Sequence, residues 1–147
     1  MSESVSTPNS INIENMLRQY GVYPTQQRMA IARVLFAQQQ HVTADQLHSR
    51  LQEHGSKVSK ATVYNTLGLF ATNGLLNEIF IDPNHVYYDS NNSHHHHFYN
   101  VDTGQINDIH ESLEHRLDTV SLPDGTCFDD VDIVIRVRNK AWLTSVS

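Results

Sequence analysis

Four consecutive histidines, His94 to His97, sit inside a 147-residue chain, with Asp89 upstream and Asp108 downstream. Imidazole is the commonest side-chain metal ligand, and a neighbouring carboxylate suits divalent first-row metals. In an extended strand alternate side chains point to opposite faces, so His95 and His97 share one face and His94 and His96 the other. One short strand can thereby serve two sites. The run is internal and is flanked by strand formers, Val86-Tyr87-Tyr88 before it and Phe98-Tyr99 after it, which sets it apart from a terminal affinity tag or a solvated loop. The chemistry expected is binding of a metal ion or of haem. On the second face His94 and His96 come within reach of Glu111, Glu114 or His115 of the following segment.

The elements that must carry these residues can be read from period and caps. Residues 1–12 are rich in Ser and Asn and poor in apolar side chains, the composition of a disordered arm. A helix is expected from Ile13 to Tyr20, ended by Gly21, and a second from Pro24-Thr25 to about Gln39 with Ile31 and Leu35 on its apolar stripe. Thr43-Ala44-Asp45-Gln46 is a capping box opening a third helix, which buries Leu47 and Leu51 and stops at Gly55. Ser59 caps a fourth, running to about Thr72, with Val63, Leu67, Phe70 and Ala71 inward. Two strand-like stretches, Leu75–Ile81 and Val86–Asp89, follow around the turn residues Asp82-Pro83-Asn84-His85. Helix, turn, helix and β-hairpin make a winged helix-turn-helix over 13–89.

From residue 90 on, a small α/β domain is expected. It starts with a histidine-bearing strand, the turn Asp102-Thr103-Gly104 and a returning strand, Gln105–Ile109. Leu113, Leu117 and Val120 recur at helical spacing through 110–120, and Val131, Ile133, Ile135 and Val137 alternate as in a half-buried strand. The whole is an α+β chain of two small domains with the boundary near residues 82–92.

The exposed side of the fourth helix carries small and polar residues that can enter a major groove about 12 Å wide. Tyr64 and Asn65 can reach base edges, while Lys60, Ser59, Thr62 and Arg28 suit phosphate. The formal charge of −6 hides a split: six basic against three acidic side chains over 15–80, then four against eleven from residue 81. A basic first module can meet a double-stranded DNA operator while an acidic second module takes cations. The only cysteine, Cys127, excludes an intramolecular disulfide and any multi-cysteine zinc site, and fits a reducing cytoplasm. No apolar run is long enough to span a membrane.

Three strings, Pro24-Thr25-Gln26-Gln27-Arg28, His41-Val42-Thr43-Ala44-Asp45-Gln46-Leu47 and Ala61-Thr62-Val63-Tyr64-Asn65-Thr66-Leu67, resemble the ferric uptake regulator (Fur) family. The block His95-His96-His97-Phe98-Tyr99 and the ending Val131 to Arg138 look like its iron response regulator branch. The resemblance covers about residues 16 to 140. It implies a homodimeric cytoplasmic transcription regulator, a repressor with an N-terminal winged helix and a C-terminal dimerisation domain, that responds to metal or haem in iron homeostasis. It also implies a regulatory metal between the domains, on the positions matching His41, Asp89, His95, His97 and Asp108. His94, His96, Glu111 and His115 remain for a second metal or haem site. An Asp89–Asp108 pair matches the family's peroxide-sensing branch.

The chain departs from the family where many members carry Cys-x-x-Cys: Asn100-Val101-Asp102-Thr103 stands there, so their structural zinc is not expected and the second domain is left to apolar packing alone. Cys127 is followed by Phe128 rather than the proline of a Cys-Pro haem motif, which leaves haem to the histidines. Imidazole and carboxylate without thiolate suit Fe(II), Mn(II) or Zn(II) alike, so a manganese, zinc or peroxide sensor is the alternative. A non-haem iron oxygenase using His95, His97 and Asp89 as a facial triad is remote, because this short segment offers no substrate core and the helix-turn-helix goes unused. A metal buffer or a module binding protein through its winged helix is a third option.

Overall fold

The computed structural model describes residues 10–141, which divide into two compact units, the first extending to Ser93 and the second beginning at His94. The arm at 1–9 and residues 142–147 lie outside the described residues. No helix of the described residues is long and apolar enough to cross a membrane.

The first unit opens with α1 (Ser10–Gln19), which begins three residues before the expected Ile13 and buries Ile13 and Leu17 one turn apart. Gly21 ends it at φ +77°, the left-handed conformation a C-terminal cap needs, and the Val22 amide closes back on the Leu17 carbonyl at 2.8 Å. Thr25 caps α2 (Gln26–Leu35) by accepting from the Arg28 amide at 3.2 Å. The helix stops four residues short of Gln39, and Gln40 supplies the reason. Its Nε2 donates to the Val34 and Leu35 carbonyls at 2.9 and 2.7 Å, satisfying the last turn from outside. The Arg50 guanidinium holds the other end of that amide.

A two-residue strand, β1 (His41–Val42), leads to α3 (Ala44–Glu53), where both arms of the Thr43–Gln46 capping box form. Ser59 caps α4 (Lys60–Thr72), whose Val63, Thr66, Leu67 and Phe70 are buried. The hairpin β2 (Asn77–Asp82) and β3 (His85–Asp89) follows, irregular between Phe80 and Asp82, and β1 joins it in an antiparallel sheet of order β1-β3-β2. The core runs continuously through Ile13, Leu17, Ile31, Leu47, Leu67, Phe70 and their neighbours. Four helices with a wing on the last give the winged helix-turn-helix.

The second unit is a three-stranded sheet of order β5-β4-β6: β4 (His96–Asn100) pairs antiparallel with β5 (Ile106–Ile109) and parallel with β6 (Val134–Val137). Three expectations change here. Strand β4 begins at His96 and so carries two of the four histidines, while His94 still falls beside His96, their ring centroids 5.2 Å apart. The helix expected over 110–120 reduces to one 3-10 turn, Glu114–Leu117. Its leading residue, Leu113, offers no side-chain cap, and none of its residues is buried, so neither capping nor packing supports a longer helix. Ile135 and Val137 of β6 remain 38 % and 37 % exposed rather than half-buried by alternation.

Apolar packing is also not the sole support of this unit. Asn100 Oδ1 accepts from the Asp102 and Thr103 amides at 2.9 and 3.2 Å, and its Nδ2 donates to Asn139 Oδ1 at 2.8 Å. The Asn139 amide returns a bond to Asp102 Oδ2 at 2.8 Å. A polar clasp thus ties the β4–β5 turn to the segment after β6, at the position where cysteines are absent.

Candidate functional site

Among the expected metal ligands two histidine–carboxylate pairs form, one in each unit, and both are cross-strand pairs. Val42 is fully buried and pairs with Tyr88, which sets the register that puts His41 opposite Asp89. His41 Nε2 lies 3.2 Å from Asp89 Oδ2. The other carboxylate oxygen accepts from the Asn91 amide at 2.9 Å, and Ser90 and Gln40 exchange bonds of 3.0 and 3.1 Å beside the pair. In the second unit β4 and β5 set His97 opposite Asp108, with Nε2 3.2 Å from Oδ1. Asp89 and His97 are buried, at 2 % and 5 % exposure.

The donor set fits a divalent ion. Two ligand atoms about 2.1 Å from one metal stand about 3.0 Å apart at a right angle and about 3.4 Å apart at the tetrahedral angle. Both measured separations fall between these. The metal would replace the proton now shared between each imidazole and its carboxylate, so the pair is ready without moving a strand.

On α4 the expected DNA-reading face is exposed, with Tyr64 47 % accessible and Asn65 beside it. Arg28, Thr62 and Asn65 line one cleft with Thr25 and Gln27. The Arg28 guanidinium donates to the Tyr23 carbonyl at 2.9 Å, which holds the tip of its side chain beside the turn before α2. Ser59 is engaged as the cap, its hydroxyl bonded to Thr62 Oγ1 at 2.9 Å. Lys60 is not a lone cation: its ammonium lies 3.2 Å from Asp45 Oδ1, the same oxygen that accepts the Tyr64 hydroxyl at 3.1 Å. Lys60 first and Tyr64 second hold the Asp45 carboxyl below the usual range, while partial burial, then the Asp45 bond, pushes the Tyr64 phenol up.

Residues 19–135 match the ferric uptake regulator family model. The chain belongs to the ferric uptake regulator family. The structure of the ferric uptake regulator from Pseudomonas aeruginosa with manganese is 30 % identical with a TM-score of 0.68, over 87 % of this chain and 98 % of that one. The one from Francisella tularensis with iron is 27 % identical with a TM-score of 0.71, over 82 % and 93 %. The peroxide-responsive repressor PerR of Staphylococcus epidermidis is 35 % identical over 94 residues, 64 % of this chain and 63 % of that protein. The match thus spans less than two thirds of that curated relative.

In this member of the ferric uptake regulator family the remaining histidines of the run gather separately. His94, His95 and His96 line a cleft of about 320 Å³ with His110, Glu111 and Glu114. Nitrogen and oxygen atoms of His94, His96 and Glu114 lie within 4.8 Å of one another, and His94 makes a second such group with Asp130 and Asp132. His95 lines that cleft from the residue before β4, whose pairing begins at His96. His115 is exposed on the 3-10 turn, outside both groups. Glu114 is held low, to about 2, first by the Ser112 hydroxyl and its own backbone amide and then by His96.

His96 fits a metal poorly. The Ile133 amide can only donate, and it does so to His96 Nδ1 at 3.2 Å, so the ring proton resides on Nε2 and is given to Glu114 Oε1 at 3.2 Å. Metal on Nε2 would turn Nδ1–H against the Ile133 amide. Sequence reasoning missed Asp45, read only as part of a capping box, and missed strand β1, too short to show a period.

Proposed function

We propose that this chain is a metal-responsive DNA-binding transcription regulator, acting as a homodimer in metal homeostasis, with iron the first candidate. The observation that carries the reading is the pair of preformed histidine–carboxylate contacts, His41–Asp89 and His97–Asp108, each 3.2 Å across. These four residues are the proposed ligands of a regulatory divalent ion, with His95 as the further ligand its spacing suggests. The family resemblance implies one ion held by both units; such a ligand set would tie metal affinity to their arrangement, and occupancy would bias the presentation of α4 to DNA. Bound there, the ion supplies positive charge that holds four otherwise repelling or protonated groups together. Duplex contact is assigned to Tyr64, Asn65, Thr62 and Arg28, with Ser59 and Lys60 at the rim. A partner copy is supported by the apolar side chains left exposed on the second unit, among them Phe128, Ile135 and Val137.

A second reading is favoured by one feature. Both carboxylates are the short aspartate, and the PerR relative is a peroxide-responsive repressor. Under it the Fe(II)-loaded chain gains the mass of an oxygen atom on His41 or His97 when treated with hydrogen peroxide.

The test is duplex binding by the full chain, metal-free and with Mn(II), Fe(II), Zn(II) or haem added separately. The expected result is a change in affinity of tenfold or more with one of the metal ions, lost in His97→Ala, whose fold is checked by circular dichroism. Response to haem alone moves the regulatory role to His94, His95 and the cleft they line. Absence of duplex binding under every condition overturns the regulator.

A further inference from the structure

The DNA-facing side of the first unit carries a negative charge that a phosphate-binding surface does not need. Asp45 lies in the first turn of α3, where the helix N-terminus favours an anion, yet its carboxylate turns to α4. One oxygen, Oδ1, takes the Lys60 ammonium at 3.2 Å and the Tyr64 hydroxyl at 3.1 Å. All three side chains are largely exposed, so the arrangement does nothing for the core. It joins the two residues of α4 best suited to grip a duplex, one by charge and one by its base-reaching ring.

We infer that Asp45 is a specificity-determining positioning residue, which directs the Tyr64 hydroxyl proton inward and cancels the charge of Lys60 so that α4 reads bases instead of gripping backbone. The inference rests on the DNA-binding reading given above and adds to it how the helix discriminates.

Two consequences follow from elementary chemistry. A phenol has one proton, and here Asp45 takes it, so toward the groove Tyr64 offers only lone pairs. Lone pairs match the exocyclic amino groups of adenine N6 and cytosine N4, and not the O6 and N7 acceptors of guanine or O4 of thymine. Second, Asp45 and Lys60 sum to zero charge. Whether or not the pair parts on DNA, that sum adds nothing to net counterion release, which is what drives sequence-independent binding. Affinity for arbitrary sequence is held down while the oriented ring remains.

The experiment compares wild type, Asp45→Asn, Asp45→Glu and the double variant Asp45→Asn with Lys60→Gln, as full-length metal-loaded protein. Two probes are used: a duplex of random sequence, and the duplex the wild type itself selects from a randomised pool. On the random duplex Asp45→Asn steepens the plot of log affinity against log salt by about 0.9, roughly tenfold tighter binding at 0.1 M salt. Adding Lys60→Gln returns the slope to the wild-type value, and Asp45→Glu, which keeps the charge, stays near it. On selected duplex Asp45→Asn gains nothing, because the oriented hydroxyl is lost, so its specificity ratio falls by about tenfold, and reselection shows relaxed preference at one base pair. An unchanged slope and an unchanged ratio in a folded Asp45→Asn overturn the inference and leave the DNA-binding reading intact. Failure of the wild type to bind either duplex overturns both.

Discussion

The two units of this chain differ in what covers their apolar side chains. In the first, α1 to α4 and the wing enclose a continuous core in which Leu17, Ile31, Leu35, Leu47, Val63, Leu67 and Phe70 are wholly removed from solvent. In the second, Ile106 and Ile109 are the apolar side chains buried among the described residues, and the buried polar ones, His96 and His97, are histidines of the candidate sites. Val101, Val120, Leu122, Phe128, Ile135 and Val137 stay exposed there. A sheet of three short strands with so little enclosed surface falls well short of offsetting the conformational entropy of its own residues. The first unit therefore carries the means of its own stability, and the second calls for cover from outside. That contrast suits a regulator with a rigid reading head and an assembly-dependent sensing part.

The most severe test of the contrast is a cavity in the first core. Phe70 is fully buried with its ring 6.3 Å from that of Phe36. Phe70→Ala removes about 3–5 kcal/mol from the unfolding of the first unit. By denaturant titration followed with probes in each unit, the second transition stays where it was. If both transitions move together, the units unfold as one cooperative body and the contrast is wrong.

A smaller effect comes from dilution. If a second copy supplies the missing cover, each tenfold dilution lowers the stability of the paired second units by about 1.4 kcal/mol per dimer, while the first does not respond. Ile135→Asp places a charge on the exposed apolar edge of β6 and abolishes that concentration dependence. Sedimentation velocity on the same samples reports the mass directly. A transition independent of concentration in the wild type removes the proposed partner.

The same contrast explains what could be read from sequence. In the first unit local chemistry and tertiary outcome agree: Thr25, Thr43 and Ser59 cap the helices their side chains suggest, and the apolar stripes of α3 and α4 are the buried ones. Where reading failed there, a distant group decided, as when Gln40 ends α2 early by bonding its last carbonyls or Asp45 reaches across to α4. In the second unit period was a poor guide. Leu113, Leu117 and Val120 have helical spacing but no surface to pack on, and one 3-10 turn results. Of the proposed metal set, His41, Asp89, His97 and Asp108 stand out in the sequence as residues. Their pairing does not, because β1 is two residues long and register is a tertiary property. His95 lies one residue before β4, so strand pairing does not fix its face.

The finest test concerns how the second unit holds its turn without cysteines. Asn100 contributes three bonds, two accepted from the Asp102 and Thr103 amides and one donated to Asn139. Their net worth is modest, because water competes for each group, so Asn100→Ala lowers the stability of the second unit by about 1–2 kcal/mol. Asn100→Asp keeps both accepted bonds and loses the donor, setting two carbonyl-type oxygens against each other at Asn139, and falls between alanine and wild type. The first unit again serves as the internal reference and does not move. If Asn100→Ala unfolds at the wild-type denaturant concentration, the clasp is incidental and cover from a partner is the whole support of the sheet. If it unfolds far earlier, the clasp rather than the partner sets the sheet's stability, and the difference between the two units lies in bonding chemistry instead of in buried surface.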